Sequence, residues 1–177
     1  DHVARVAYAV RSNRANDVAL ERFCTHFNFE PMIFDAFDHN GKPIYHTNVL
    51  MCIGTDFVLL GAQSIPDAGR RQEIVARLEE TGRQVVELST EQIANFAGNA
   101  IELKGRNGRI LALSARAHAA LQLEQISAIE QSVQLLPFDV PTIELAGGSV
   151  RCMLAGVHLS RRENVNKQPL YAAMSDR

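Results

Sequence analysis

Ala97-Gly98-Asn99-Ala100-Ile101-Glu102, then Gly105, then Arg109-Ile110-Leu111-Ala112-Leu113, is the middle one of three similar passages in this chain. Upstream, His46-Thr47-Asn48-Val49-Leu50-Met51 is followed by Gly54 and by Phe57-Val58-Leu59-Leu60. Downstream, Gly147-Gly148-Ser149-Val150-Arg151-Cys152 is followed by Gly156 and by Val157-His158-Leu159. The offsets are 51 positions (46 to 97) and 50 positions (97 to 147). Each passage reads as a short loop, a strand, a tight turn and a second strand. A fixed period of this length is the mark of a repeat architecture.

Working outward, helical spacing follows the first two hairpins. Residues Arg70 to Thr81 place Ile74, Val75 and Leu78 on one face and stop at Gly82. Residues Ala117 to Gln131 place Leu123, Ile126 and Ile129 at helical intervals. Further strands are predicted at Gln84 to Leu88 and Val133 to Leu136. Ahead of the first passage, Val3 to Val10 reads as a strand and Met32 to Phe34 as another. The helix between them, Asp17 to Phe27, is expected to bury Leu20, Phe23, Cys24 and Phe27. Units that mix strands with helices argue against a propeller of the WD40 type, whose blades are all strand.

Composition narrows the class. Of 177 residues, 46% are hydrophobic and 21% charged, as expected of a globular domain large enough to bury a core. The formal charge of −2 gives no reason to expect a nucleic-acid partner or an anionic membrane surface. No apolar run approaches the roughly 18 residues of a membrane span. The three cysteines, Cys24, Cys52 and Cys152, form no disulfide framework and no zinc pattern, which suits a reduced, cytoplasmic setting. No metal or cofactor motif is present. The chain opens Asp1-His2-Val3-Ala4-Arg5, with neither a signal peptide nor an initiator methionine, so Asp1 is expected to lie inside a longer gene product.

Two of the passages carry a resemblance. Gly147-Gly148-Ser149-Val150-Arg151-Cys152-Met153 resembles the C-terminal cysteine motif of the guanidino-group-modifying enzymes. Tyr45-His46-Thr47-Asn48-Val49-Leu50-Met51 is similar to their histidine motif. That superfamily, the penteins or amidinotransferase superfamily, includes arginine deiminases, dimethylarginine hydrolases, amidinotransferases and citrulline-utilisation hydrolases. The resemblance implies an α/β fold of the pentein type, a propeller of five ββαβ units of about fifty residues each. Five units would need roughly 250 residues, so residues 1–162 are expected to be the C-terminal part of the catalytic ring and 163–177 a polar tail. The partner this implies is the N-terminal half of the same fold, on a preceding segment or another chain. Self-association stays open.

The resemblance also assigns roles. Cys152 would be the nucleophile and His46 the general acid/base, acting on a guanidino or ureido group of an arginine-like small molecule. A guanidinium carbon is a poor electrophile, because its charge is spread over three nitrogens. Attack therefore needs a thiolate, the competent form of a side chain whose ordinary pKa is about 8.5. The adduct collapses to a thiouronium-type covalent intermediate, and the histidine then activates water. Asn48 stands where several relatives place an aspartate that grips the guanidinium. A neutral residue there leans towards a ureido substrate such as citrulline. The acid that relatives supply one unit ahead of the histidine would fall just before Asp1. An amidinotransferase shares the same intermediate, and a non-catalytic binding protein of the same fold is the reading from another class. Glu102 and Glu144 are secondary candidates to support the site, Arg151 is expected to form a structural ion pair, and Cys24 and Cys52 are expected in the core.

Overall fold

The computed structural model describes residues 1–156. The returning strand expected at Val157 to Leu159, His158 within it, and the polar tail lie outside the described residues. Three separate sheets succeed one another along the chain. The first pairs β1 (Val6–Val10) with β2 (Glu30–Phe34) in parallel across the helix α1 (Asp17–Phe27). In the second, β3 (Met51–Ile53) and β4 (Phe57–Leu60) form an antiparallel hairpin, and β5 (Gln84–Glu87) lies parallel to β4 beyond α2 (Ala68–Glu79). The short helix α3 (Thr90–Ala94) leads to the third, which repeats the pattern with β6 (Ile101–Lys104), β7 (Arg109–Ser114) and β8 (Gln134–Phe138). The ββαβ unit read from the fifty-residue period is thus present twice.

Local chemistry explains the boundaries. In the second sheet the middle strand, β4, is buried at all four positions, as its unbroken apolar run requires. The side chain of Asp67 caps α2 by accepting from the Arg70 backbone N–H, and Gly82 follows that helix at φ 79°. A capping box between Ser89 and Gln92 starts α3. That helix ends in a Schellman arrangement, in which the N–H of Ala97 donates to the Gln92 carbonyl and that of Phe96 to the Ile93 carbonyl. Phe96 there holds φ 64°, a left-handed conformation that glycine would adopt without cost.

Several expectations need correction. The first strand starts at Val6 rather than Val3, because the Asp1 carboxylate accepts the N–H groups of Val3 and Ala4 and folds the opening residues into a turn. The helix expected over 117–131 is two helices, α4 (Ala115–Ala120) and α5 (Leu123–Glu130). Leu121 between them is extended at ψ 145°, and Leu123, expected to face the core, is 76% exposed. Of the apolar face expected on α1 only Cys24 is buried, while Phe23 and Phe27 are 44% and 51% exposed. A sixth helix, α6 (Pro141–Leu145), follows β8 where none was expected. Periodicity reports which face is apolar, whereas burial depends on what the rest of the chain lays against it.

One core joins the sheets, with Leu59, Leu60, Ile74, Leu78, Leu111 and Ile129 fully buried. A buried ion pair ties the first sheet to the second. The Arg83 guanidinium reaches the Asp1 carboxylate at 2.7 Å and donates to the carbonyl of Gly54, with both side chains almost wholly inside.

Candidate active site

The three corresponding loops of the repeat lie side by side, and the site forms where they meet. Each leads into a strand or turn of its own unit. Residues Thr47–Val49 form one turn of 3-10 helix ahead of β3. Residues 97–99 lead into β6. Residues Val150–Met153 form another turn of 3-10 helix, so Cys152 sits on a helical turn and not at the start of the strand its sequence suggests. Hydrogen bonds stitch the loops together. The Val10 N–H donates to Thr47 Oγ1 at 2.9 Å, Asn99 Nδ2 to the Asn48 carbonyl at 2.8 Å, and the Arg151 N–H to the Asn99 carbonyl at 3.3 Å. Gly98 makes this approach achievable, since a Cβ there would lie 2.5 Å from the Val49 carbonyl oxygen.

Cys152 is exposed, and its sulfur receives two side-chain amides, Asn99 Nδ2 at 3.2 Å and Asn48 Nδ2 at 3.6 Å. The diglycine shapes its approach. Gly147 adopts φ 87°, and a side chain on Gly148 would press on the Cys152 Cβ at 3.2 Å. Behind the turn, the buried Ser149 hydroxyl donates to Glu144 Oε1 at 3.0 Å, so Glu144 does buttress the loop. Burial pushes the Cys52 thiol up to about 12 and raises that of Cys24, so both stay protonated at neutral pH. Among the three thiols only Cys152 is both accessible and supplied with donors.

His46 is half-buried, two residues from Asn48, and its Nε2 lies 3.1 Å from Arg14 Nη1. A guanidinium can only donate, so Nε2 accepts here and any ring proton is on Nδ1. Burial, and then the charge of Arg14, hold the imidazole below its ordinary pKa and favour the neutral base. The Arg14 guanidinium also lies over the Tyr45 ring, 5.3 Å from its centroid, and has no carboxylate partner among the described residues. The structure therefore brings Asn48 to Cys152, and sets His46, two positions before Asn48, in contact with Arg14.

Other expectations fare differently. Glu102 occupies the repeat position of Cys152, yet its carboxylate accepts from the Thr55 N–H at 3.0 Å and from the Thr55 hydroxyl, with Arg109 nearby. It braces a neighbouring turn. Arg151 donates to the Leu154 carbonyl at 3.0 Å and forms no ion pair among the described residues. Sequence reasoning missed Arg14, which stands 32 positions before His46 in a loop with no periodic signal. Asn99 could have been found from the repeat register, which aligns it with Asn48 and Ser149. No group of three or more potential metal ligands occurs among the described residues.

The family profile of eukaryotic N,N-dimethylarginine dimethylhydrolases matches residues 1–159. The chain belongs to that family. Among solved structures, the dimethylhydrolase-family chain is similar to the product-bound N-terminal domain of ArgZ, an arginine dihydrolase from cyanobacteria. The TM-score is 0.64 at 18% identity, over 84% of this chain and 50% of that one. It is also similar to AgrE in its ternary complex with ornithine and NAD+, with a TM-score of 0.67 at 18% identity, over 90% of this chain and 21% of that one. A variant of the ArgZ N-terminal domain covalently bound to a reaction intermediate matches with a TM-score of 0.64 at 18% identity. At these identities the likeness is one of fold. The chain spans half the length of the ArgZ domain and about a fifth of AgrE. No curated protein matches it in sequence.

Proposed function

We propose that this chain carries the nucleophile and the general acid/base of a hydrolase acting on a guanidino or ureido group of an arginine-like amino acid. The observation that carries the reading is the accessible thiol of Cys152 under two amide donors, with a neutral-leaning imidazole on the adjacent loop. Family membership supports the same class of chemistry. Neutral His46 takes up the Cys152 proton, and the thiolate attacks the central carbon and forms a C–S bond. The C–N bond then breaks as the leaving amine takes a proton from the protonated His46, giving a covalent thiouronium from a guanidino substrate or the corresponding S-thiocarbamate from a ureido one. Neutral His46 next removes a proton from water, whose oxygen attacks the same carbon. The C–S bond breaks, the thiolate returns, and the product leaves as a ureido compound from a guanidino substrate or a carbamic acid from a ureido one.

Arg14 suits the other end of such a substrate. It is an exposed cation with no carboxylate partner among the described residues, within reach of the general base. An α-carboxylate bound there would draw the guanidinium off Nε2 and free that lone pair for proton transfer. Asn48 would contact the reacting group as a neutral residue, which admits an uncharged ureido substrate such as citrulline beside arginine or a methylated arginine. Residues of a further part of the ring would supply the carboxylate that holds a guanidinium, with the sheets described here being units of a five-membered propeller. An amidinotransferase would pass through the same intermediate to an amine acceptor.

The test is turnover of citrulline, arginine and N,N-dimethylarginine by the intact protein, reading ammonia, dimethylamine, ornithine and citrulline, with Cys152→Ala alongside. Release of one of these amines, abolished in the variant, is expected. Full activity in Cys152→Ala would sink the mechanism.

A further inference from the structure

One residue joins three successive repeats at the sulfur. Asn99 is 1% exposed, and its side-chain Nδ2 spends one N–H on the Asn48 carbonyl at 2.8 Å and the other on Cys152 Sγ at 3.2 Å. Its own carbonyl accepts the Arg151 N–H, and its N–H donates to the Phe96 carbonyl at 2.8 Å. The orientation of the amide is decided by chemistry. A backbone carbonyl only accepts, so turning the amide over would set two acceptor oxygens against each other and leave the nitrogen with nothing to bind. As it stands, Oδ1 of Asn99 and Oδ1 of Asn48 are both buried with no hydrogen-bond partner among the described residues. The Asn48 carbonyl thus holds the Asn99 amide nitrogen-first towards the sulfur.

We propose that Asn99 is a positioning residue for Cys152, fixing the thiol in place and donating to it as a neutral counterpart of an oxyanion hole. The inference rests on the reading of Cys152 as nucleophile and extends it to how the sulfur is prepared before substrate arrives. A hydrogen bond to an ionised acceptor is about twice as strong as one between neutral groups, so the Asn99 contact is at its strongest when the sulfur attacks as a thiolate. The rigid frame comes from the loop itself. Phe96 is held left-handed at φ 64°, and Gly98 lies against the next repeat, so the amide has no freedom to follow a wandering sulfur. Asn48, at 3.6 Å, is the looser second donor.

The experiment is alkylation by iodoacetamide at neutral pH, read at each cysteine by peptide mass spectrometry on the intact protein. Cys24 and Cys52 are buried and serve as internal reporters of unfolding. Asn99→Asp keeps the shape, removes both donors and sets a carboxylate beside the sulfur. It is expected to slow alkylation of Cys152 by about tenfold or more, the factor that accompanies loss of a hydrogen bond to a charged group. Asn99→Ser retains one short donor and is expected to fall between that variant and the wild type. A rate at Cys152 within about twofold of wild type in Asn99→Asp, with Cys24 and Cys52 still unreactive, would overturn the proposal. If Asn99→Asp exposes the buried cysteines, the decision passes to Asn99→Ser, where an unchanged rate overturns it equally. The unmutated protein gives a reading free of folding effects: the Asn99 side-chain amide resonances should move when Cys152 is alkylated, and their indifference counts against the contact. These readouts do not depend on turnover. A failure of the hydrolase reading, seen as activity in Cys152→Ala, is therefore distinguishable from a failure of this one.

Discussion

At the scale of single residues, position decides which of several similar groups can do chemistry. Cys24, Cys52 and Cys152 are one residue type in three environments, and burial keeps the first two as thiols while the third lies open beneath two amides. Cys152→Ala should therefore leave thermal stability nearly unchanged, whereas Cys24→Ala should lower it by about 1 kcal/mol or somewhat more through the cavity it leaves. Paired thermal melts check both. His46 makes a prediction in pH. Its pKa is lowered, so between that value and the ordinary value near 6.5 the unfolded chain binds the proton before the folded one does. Its contribution opposes folding progressively as pH falls through that window, and fully below it. Replacing Arg14 by Gln removes the nearby charge and should move the imidazole midpoint upward, seen by NMR titration of the ring protons. The same variant should raise KM for an amino-acid substrate if Arg14 binds the carboxylate. A midpoint that stays put would mean that desolvation alone holds it down. The motifs around Cys152 and His46 were legible because they are contiguous. Arg14 was not, because a loop residue announces nothing until folding sets it against a ring.

At the scale of elements, the loops matter more than the strands they precede. The strand hydrogen bonds could form from many sequences, but the seam between the second and third sheets depends on the absence of one Cβ. Gly98→Ala would force the 97–99 loop away from the Val49 carbonyl, as overpacking does elsewhere, at a cost of about 1–3 kcal/mol. Denaturant titration should show that loss. Activity should fall by more than stability, because the displaced loop carries the Asn99 amide. The ion pair of Arg83 with Asp1 is the corresponding tie between the first and second sheets. Removing only the cation, as in Arg83→Met, leaves a buried carboxylate unpaired and should cost about 3–5 kcal/mol by chemical denaturation. Neither tie was legible in advance. The fifty-residue period gives the register of the repeat and says nothing about which atoms of adjacent units touch.

At the scale of the whole molecule, the described residues expose apolar side chains, among them two groups. Phe23 and Phe27 on α1 stack on each other with ring centroids 4.8 Å apart, and Phe138, Ile143 and Leu145 lie outward on β8 and α6. Apolar clusters of this kind mark surfaces that other protein covers. Residues 1–177 by themselves are expected to self-associate as concentration rises, and Phe23→Glu with Phe27→Glu should reduce that tendency, measured by sedimentation velocity. Unchanged association in the double variant would remove α1 from the account. The sequence by itself determined the unit of construction, the α/β class, the two loops that hold Cys152 and His46, and the start of α1. These are properties of neighbouring residues, fixed by the strand and helix periods and by caps within a few positions. The tertiary structure alone decided that the apolar face of α1 stays open, that Glu102 turns to Thr55, that Arg14 lies on His46, and that Asn99 gives its amide to the thiol. The last three depend on residues from 32 to 53 positions apart meeting in the fold, and no local pattern encodes such a meeting.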